Sequence, residues 1–317
     1  MELTKRRAFR LGKATRDAFG EALVALGRDE RIVVVDGDVN NSTRTDLFAR
    51  AYPERFFNVG IAESNLVSLA GGLASCGKIP VIASFACFLL CNAFDQLRMS
   101  VAFPRLNVKV VGTHAGISIG EDGPSQMGIE DIALALALPG FTVLVPADEV
   151  AARAATQAML AVEGPVYLRL GRPRVPIVYE DGCEFVIGRA NLLRPGRDVT
   201  LAANGLMVAL ALEAAEILAE EGIDARVLDL ASVRPLDIEA LVAAARETRG
   251  IVVAEEHLKH GGLGSAVAMA LAERAPAPLR FVALENTYAE SGKPEDLLAK
   301  YGLTAENIAA AARDLLR

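Results

Sequence analysis

The sequence predicts an α/β protein built from two doubly wound domains. Three observations carry this. Short apolar runs of strand length, rich in Val and Ile, alternate along the chain with segments of helical spacing. The 317 residues suffice for two ordinary domains, and a composition 52% hydrophobic and 23% charged is that of a core-forming chain. The alternation breaks once, at 171–184, where Pro173, Pro176 and the Asp181-Gly182 turn predict a linker, and then starts again. The predicted boundaries are a first domain over 1–175, a linker over 176–188 and a second domain over 189–317.

The elements follow in order. Residues 1–23 are basic but lack the apolar stretch of a secretion signal, and they lead into helical spacing, so they read as the first helix. RIVVVDGD (31–38) is an apolar run closed by turn residues, the mark of a buried parallel strand. Residues 65–77 have helical spacing with glycines that allow close packing. Strands follow at 79–86, 107–114 and 141–147, then a helix over 148–164 that stops at Gly164, then a strand over 165–172. Beyond the break, DVTLAAN, DARVLDL, GIVVAEEH and LRFVALE read as strands of a second parallel sheet. LMVALALEAAEILAEEG and GLGSAVAMALAERA read as its helices.

A net charge of −7 excludes a general nucleic-acid or membrane-surface binder, although a local basic patch can still hold phosphate. No apolar run is long enough to cross a bilayer. Cys76, Cys87, Cys91 and Cys183 form no CxxC pair, and they read as reduced, mostly buried thiols of a cytoplasmic protein. Cys87 and Cys91 are spaced to share a helix face, with no histidine near enough in sequence to complete a metal site.

The chemistry concentrates between Phe56 and Ile132. Glu63 sits in VGIAESN, where a glutamate on its own is an ordinary helix N-terminal residue favoured by the dipole. Phe85 and Phe88, three apart, read by themselves as core residues. His114, one of three histidines, opens THAGISIGEDG, a glycine-rich loop that also carries Glu121 and Asp122. An acid, an aromatic shelf and a polar loop in that order suit a flat, protonatable heteroaromatic ring.

Together these blocks resemble the pyrimidine-binding and C-terminal domains of transketolases, over nearly the whole chain. The resemblance implies thiamine diphosphate as cofactor. It implies that Glu63 hydrogen-bonds the pyrimidine ring and shares its proton. It places Phe85 and Phe88 against that ring, where offset stacking contributes roughly 0.5–1.5 kcal/mol beyond area burial. Asp38 matches an acid near the cofactor cleft. His114 is implied at the ketose carbonyl of the donor, as both a catalytic and a substrate-binding residue. Asp122 is implied at the acceptor's C2 hydroxyl. Arg16 in ATRDAF, Ser42 in DGDVNNST and Arg172 in LRLGRP match positions that hold the sugar phosphate, for which arginine forks are suited.

Two positions depart from the common pattern. Gln126 in GEDGPSQM stands where many transketolases have a substrate-binding histidine, as in the vertebrate branch. Asn92 stands where related chains carry arginine. The GGLG at 261–264 lacks the third glycine of a dinucleotide-binding fingerprint, since Val267 occupies that place. By resemblance this region belongs to a structural, dimer-forming domain, with His257 and His260 at an interface or surface.

The half that holds the diphosphate and Mg²⁺ is absent from the resemblance. DGDVNN (36–41) has the letters of the metal motif but not its spacing. The expectation is therefore the C-terminal subunit of a split transketolase. It would transfer a two-carbon ketol unit from a ketose phosphate to an aldose phosphate, and it would be active only with an N-terminal partner subunit in an α2β2 assembly. The rivals are the β subunit of a 2-oxo acid dehydrogenase and a non-catalytic, transketolase-derived binding protein.

Overall fold

The computed structural model describes residues 9–317. The N-terminal sheet has seven strands in the order β12-β6-β7-β5-β4-β2-β3. These are β2 (Ile32–Asp36), β3 (Phe56–Asn58), β4 (Ile79–Phe85), β5 (Lys109–Thr113), β6 (Thr142–Leu144), β7 (Val166–Arg169) and β12 (Ser232–Arg234). A two-stranded antiparallel ribbon, β1 (Leu11–Ala14) with β8 (Arg174–Pro176), lies beside it. The C-terminal sheet runs β14-β13-β10-β11-β9. Its members are β9 (Asn191–Arg194), β10 (Val199–Ala203), β11 (Ala225–Asp229), β13 (Ile251–Leu258) and β14 (Leu279–Leu284).

The α/β expectation holds: in both sheets the central strands are parallel. β2, β4, β5 and β10 are buried along their whole length, as continuous Val/Ile/Ala runs require when helices cover both faces. The longer helices are α1 (Thr15–Leu26), α4 (Glu63–Ser75), α7 (Glu149–Ala161), α8 (Met207–Glu220), α9 (Ile238–Glu247), α10 (Leu263–Arg274) and α12 (Ala305–Leu316). Short ones are α2 (Asn40–Thr43), α3 (Asp46–Ala51), α5 (Phe94–Gln96), α6 (Asp131–Ala137) and α11 (Pro294–Lys300). Each fully buried Leu, Val or Ile on these faces contributes about 1.5–3 kcal/mol. Leu66 and Val67 of α4 pack in this way against Val33, Val35 and Ile82.

The structure corrects several expectations. Residues 11–14 form a strand, so the first helix begins only at Thr15, and the part of that expectation over 1–8 lies outside the described residues. Residues 174–176, inside the predicted break, pair with that strand. Neither sheet is purely parallel: β12 joins β6 antiparallel, and β9 joins β11 antiparallel. β12 also comes from beyond the break, so the C-terminal half supplies an edge strand to the N-terminal sheet. Arg234 fixes that crossing by donating to the carbonyls of Leu138 at 3.1 Å and Ala135 at 2.9 Å. Of the four free cysteines only Cys87 is buried; Cys183 is half-buried, and Cys76 and Cys91 are exposed. His257 is not at a surface either. It is fully buried, with Nδ1 facing the Leu258 carbonyl at 2.8 Å.

Register places the functional strand ends side by side. Asp36 is level with Ala83, and Phe85 with Thr113. The turns leaving β2, β4 and β5 therefore open at one edge of the sheet. This is where open α/β sheets place their ligands.

Candidate functional site

Glu63 is the first residue of α4 and is 7% exposed. The Ser84 hydroxyl, on the adjacent β4, donates to its Oε1 at 3.2 Å. Gly37, in the turn after β2, lies against the same oxygen: a Cβ there would stand 3.6 Å from it. The carboxylate is thus fixed by one neighbouring strand and roofed by another.

Phe85 closes β4, and the chain turns directly into a wide-turned π-helical stretch, Phe88–Asn92. The two phenylalanines do not share a helix face. The strand-to-helix turn stacks them instead, with centroids 5.2 Å apart and planes 5° from parallel. The His114 ring also stacks on Phe85, at 3.7 Å and 14°.

His114 follows β5 with a left-handed backbone, φ 56°, a conformation that is uncommon for a non-glycine residue and costs about 1–3 kcal/mol. Its Nε2 lies 2.8 Å from Arg16 Nη1, and its Nδ1 lies 2.8 Å from Thr113 Oγ1. Arginine can only donate, so Nε2 is the acceptor and the ring proton sits on Nδ1, donated to Thr113. Burial, with the charges of Arg16, Arg172 and Arg44, pushes the imidazole down to about 3. The ring is therefore neutral at physiological pH.

Arg16 also donates to the Ser42 carbonyl at 3.0 Å, and its Nε is buried without a partner among the described residues. Burial, then Arg44, lowers its affinity for its proton. Arg172 donates to the Ile119 carbonyl at 2.6 Å and stands 3.5 Å from both Glu121 and Asp122. Arg16, Arg172 and Arg44 thus gather around a neutral histidine. Asp17 pairs with Arg44 at 2.5 Å and Glu121 and Asp122 stand by Arg172, while no carboxylate is hydrogen-bonded to Arg16 among the described residues. Such a cluster is stabilised by an anion.

Of the other expected residues, Asp38 is exposed, has φ 68° and accepts from Asn58 Nδ2 at 2.7 Å. It is Asp36 that is fully buried, with its oxygens taken by Val39 N–H and the hydroxyls of Thr43 and Thr45. Ser42 meets Arg16 through its carbonyl rather than its hydroxyl. Gln126 accepts from Ser125 Oγ at 2.7 Å, and its carbonyl faces Cys87 Sγ at 3.2 Å, which ties its loop to the phenylalanine turn. Burial raises the Cys87 thiol to about 12, so it is no nucleophile at neutral pH.

Sequence reasoning missed Ser84, Thr113 and Arg44, whose roles depend on which neighbours the sheet register supplies. It also missed a buried network. Asp131 accepts from Tyr167 at 2.6 Å and Arg169 at 2.7 Å, and Arg169 reaches on to the carbonyls of Gly128 and Glu256. A signal existed in Glu255-Glu256-His257, three ionisable residues in a row on an apolar strand.

Two family models match this chain: the transketolase pyrimidine-binding domain over residues 12–177 and the transketolase C-terminal domain over 188–308. The chain belongs to the transketolase family. Within that family it groups with subunits of split enzymes. The solved structure of a split-gene transketolase, an inactive β4 tetramer, superposes with a TM-score of 0.91 at 50% identity, covering 96% of this chain and 99% of that one. The 6-deoxy-6-sulfo-D-fructose transketolase subunit of Clostridium sp. (strain MSTE9) is 43% identical, over 95% of this chain and 94% of the relative. Human transketolase is 39% identical over 96% of this chain, but the match spans only 49% of the human protein.

The transketolase domains imply dependence on thiamine diphosphate. The residues present fit its pyrimidine end, since a buried acid fixed by Ser84 and two stacked rings beginning at the adjacent Phe85 stand at one edge of the sheet. Among the described residues no group of three or more His, Cys, Asp or Glu is placed to hold a metal ion. No helix among them is long and apolar enough to cross a membrane.

Proposed function

We propose that this chain is the C-terminal subunit of a split, thiamine-diphosphate-dependent transketolase of the cytoplasm. Its first domain would span 1–175 and its second 189–317, joined by 176–188. The observation that carries the reading is the continuous run of contacts in which Phe85, next to the Ser84 that holds Glu63, stacks on both Phe88 and His114, and His114 in turn meets Arg16. One part suits the pyrimidine, the other the anionic end of a sugar. An arginine cluster of this kind favours a sugar phosphate, or another sugar oxyanion, over the plain 2-oxo acid of the rival dehydrogenase reading.

When bound, the cofactor supplies the nucleophilic carbon that carries the two-carbon unit. Glu63 would take up and return the proton at the pyrimidine nitrogen, held in line by Ser84. Phe85 and Phe88 would fix the ring plane, with Asp38 at the cleft's edge. Arg16, Arg172 and Ser42 would bind the anion, and Asp122 and Gln126 would meet the sugar hydroxyls. An incoming anion competes for Arg16, which frees His114 Nε2 and offsets the arginine charges. The imidazole can then be protonated and donate to the donor carbonyl.

The diphosphate and Mg²⁺ would be held by an N-terminal partner subunit, in an α2β2 assembly. The test is reconstitution. The purified chain with cofactor and Mg²⁺ should give no ketol transfer, and transfer should appear when a chain carrying the diphosphate-binding domain is added. Robust turnover by the isolated chain would overturn the split-subunit reading. Ligand binding without turnover in the presence of the partner would support the non-catalytic one.

A further inference from the structure

The loop from His114 to Gly128 springs from the N-terminal sheet, yet its outer wall is built by the C-terminal domain. Glu256, on β13, is 5% exposed, and its Oε1 accepts from the Ser118 N–H at 2.6 Å. Gly116 lies directly against the same carboxyl. Its φ is +84°, and a Cβ there would overlap Glu256, so the loop has been shaped to admit this acid. Arg169 closes the base of the loop. It donates to the Gly128 carbonyl at 3.1 Å and to the Glu256 carbonyl at 2.9 Å. Leu258 N–H, two residues on, donates to the Ile129 carbonyl at 3.1 Å.

The tip of the loop meets a second C-terminal segment. Gly123, φ +82°, sits under Ser291 Oγ, and Pro294 at the start of α11 would lie 3.0 Å from a Cβ at position 120. The part of the loop that carries Asp122 therefore rests on two separate C-terminal surfaces, one at its start and one at its tip.

We propose that Glu256 and the Ser291–Pro294 segment are positioning elements for this loop, through which the C-terminal domain sets sugar binding without touching the sugar. The proposal deepens the reading of this loop as substrate-binding and rests on it for its kinetic consequence. The conformational claim stands independently.

The test uses the full chain with Glu256→Ala, Glu256→Gln and Pro294→Ala. Hydrogen exchange of the loop is read on the isolated chain, and sugar KM is read after reconstitution. A lost hydrogen bond to a buried carboxylate should speed exchange over 116–123 about tenfold or more in Glu256→Ala. Glu256→Gln, which keeps an acceptor oxygen, should restore the wild-type rate. The α10 N-terminus, held by Glu255 through Leu263 and Gly264 N–H at 2.7 and 2.8 Å, should exchange unchanged as an internal control. In the reconstituted enzyme KM for the sugar should rise about tenfold, while proton exchange at the cofactor's reactive carbon keeps its rate.

A loop that exchanges at the wild-type rate in folded Glu256→Ala overturns the proposal. So does an equal loss of cofactor proton exchange, which would mark a merely structural role. If Glu256→Ala does not fold, Pro294→Ala decides through exchange over 120–123, where faster exchange supports the proposal and no change overturns it. If wild-type protein shows no turnover with a partner, the functional reading fails while the exchange measurement still decides this one.

Discussion

Replacing His114 by glutamine should remove an acid-sensitive contribution to folding stability. In the unfolded chain a histidine takes up its proton near pH 6.5; in the fold, burial and three arginines hold this one down to about 3. Between these values the unfolded state binds more protons than the folded state, so stability falls as pH falls from 6.5 toward 3 and is fully present above about pH 7.5. By linkage, lowering the pH from 8 to 5 costs the wild-type fold about 2 kcal/mol through this one ring. Burial also holds Glu256 and Asp229 up at about 7. Those two act with the opposite sign: their stabilisation is present at acid pH and lost as pH rises through 7. They are common to both proteins and cancel in the difference.

The assay is urea unfolding of wild type and His114→Gln at pH 8, 7, 6 and 5, in buffers free of phosphate and sulfate. Glutamine loses the stack on Phe85, so it starts less stable at pH 8. The gap between the two proteins should then shrink by about 2 kcal/mol by pH 5. Parallel curves across that range would show that the ring titrates normally, and the arginine cluster would not be acting on it.

Four further outcomes follow from the same geometry. Glu63→Gln should leave the fold intact, but in the reconstituted enzyme it should slow proton exchange at the cofactor's reactive carbon about a hundredfold or more, each ~1.36 kcal/mol of barrier being tenfold. Exchange at the wild-type rate would remove Glu63 from the catalytic set. Inorganic phosphate should bind more tightly at pH 6 than at pH 8 beyond its own ionisation, with proton uptake visible by calorimetry in buffers of different ionisation enthalpy; His114→Gln should abolish that uptake. Arg169→Met should destabilise the chain by about 3–5 kcal/mol in urea unfolding, because the buried Asp131 would lose its cation and keep only the Tyr167 hydroxyl. Leu66→Ala, fully buried in the main cluster, should cost about 2–5 kcal/mol by the same measurement, with unchanged m-value.

The strands were legible because buried parallel strands are written as continuous apolar runs, and IVVVD and IPVIASF are hard to read otherwise. The short ribbon of β1 and β8 was not. LGKA and RVP carry too few residues to show a period, and their pairing joins positions far apart in sequence. Glu63, His114 and Arg172 were found through motif blocks, because their neighbours in sequence are also their neighbours in the turns after β3, β5 and β7. Ser84 and Thr113 lie inside strands, where a small polar residue looks like any other inward position until register shows what faces it. The network around Asp131, Arg169 and Glu256 joins three distant segments, so no local pattern encodes it. The burial of His257 was missed for the same reason.

The strand β12 has a consequence for handling the protein. Among the described residues it is the one strand paired to the outer edge of β6, and its sequence lies beyond the point where a cutter would divide the two domains. A chain ending near residue 188 would leave the backbone donors and acceptors of Thr142–Leu144 open at the rim of an apolar sheet, a template for pairing with other molecules. Such a fragment should associate edge to edge rather than stay dispersed. The two halves are stitched by one thread carried across the seam, and lifting away the C-terminal half would unravel the border of the N-terminal sheet.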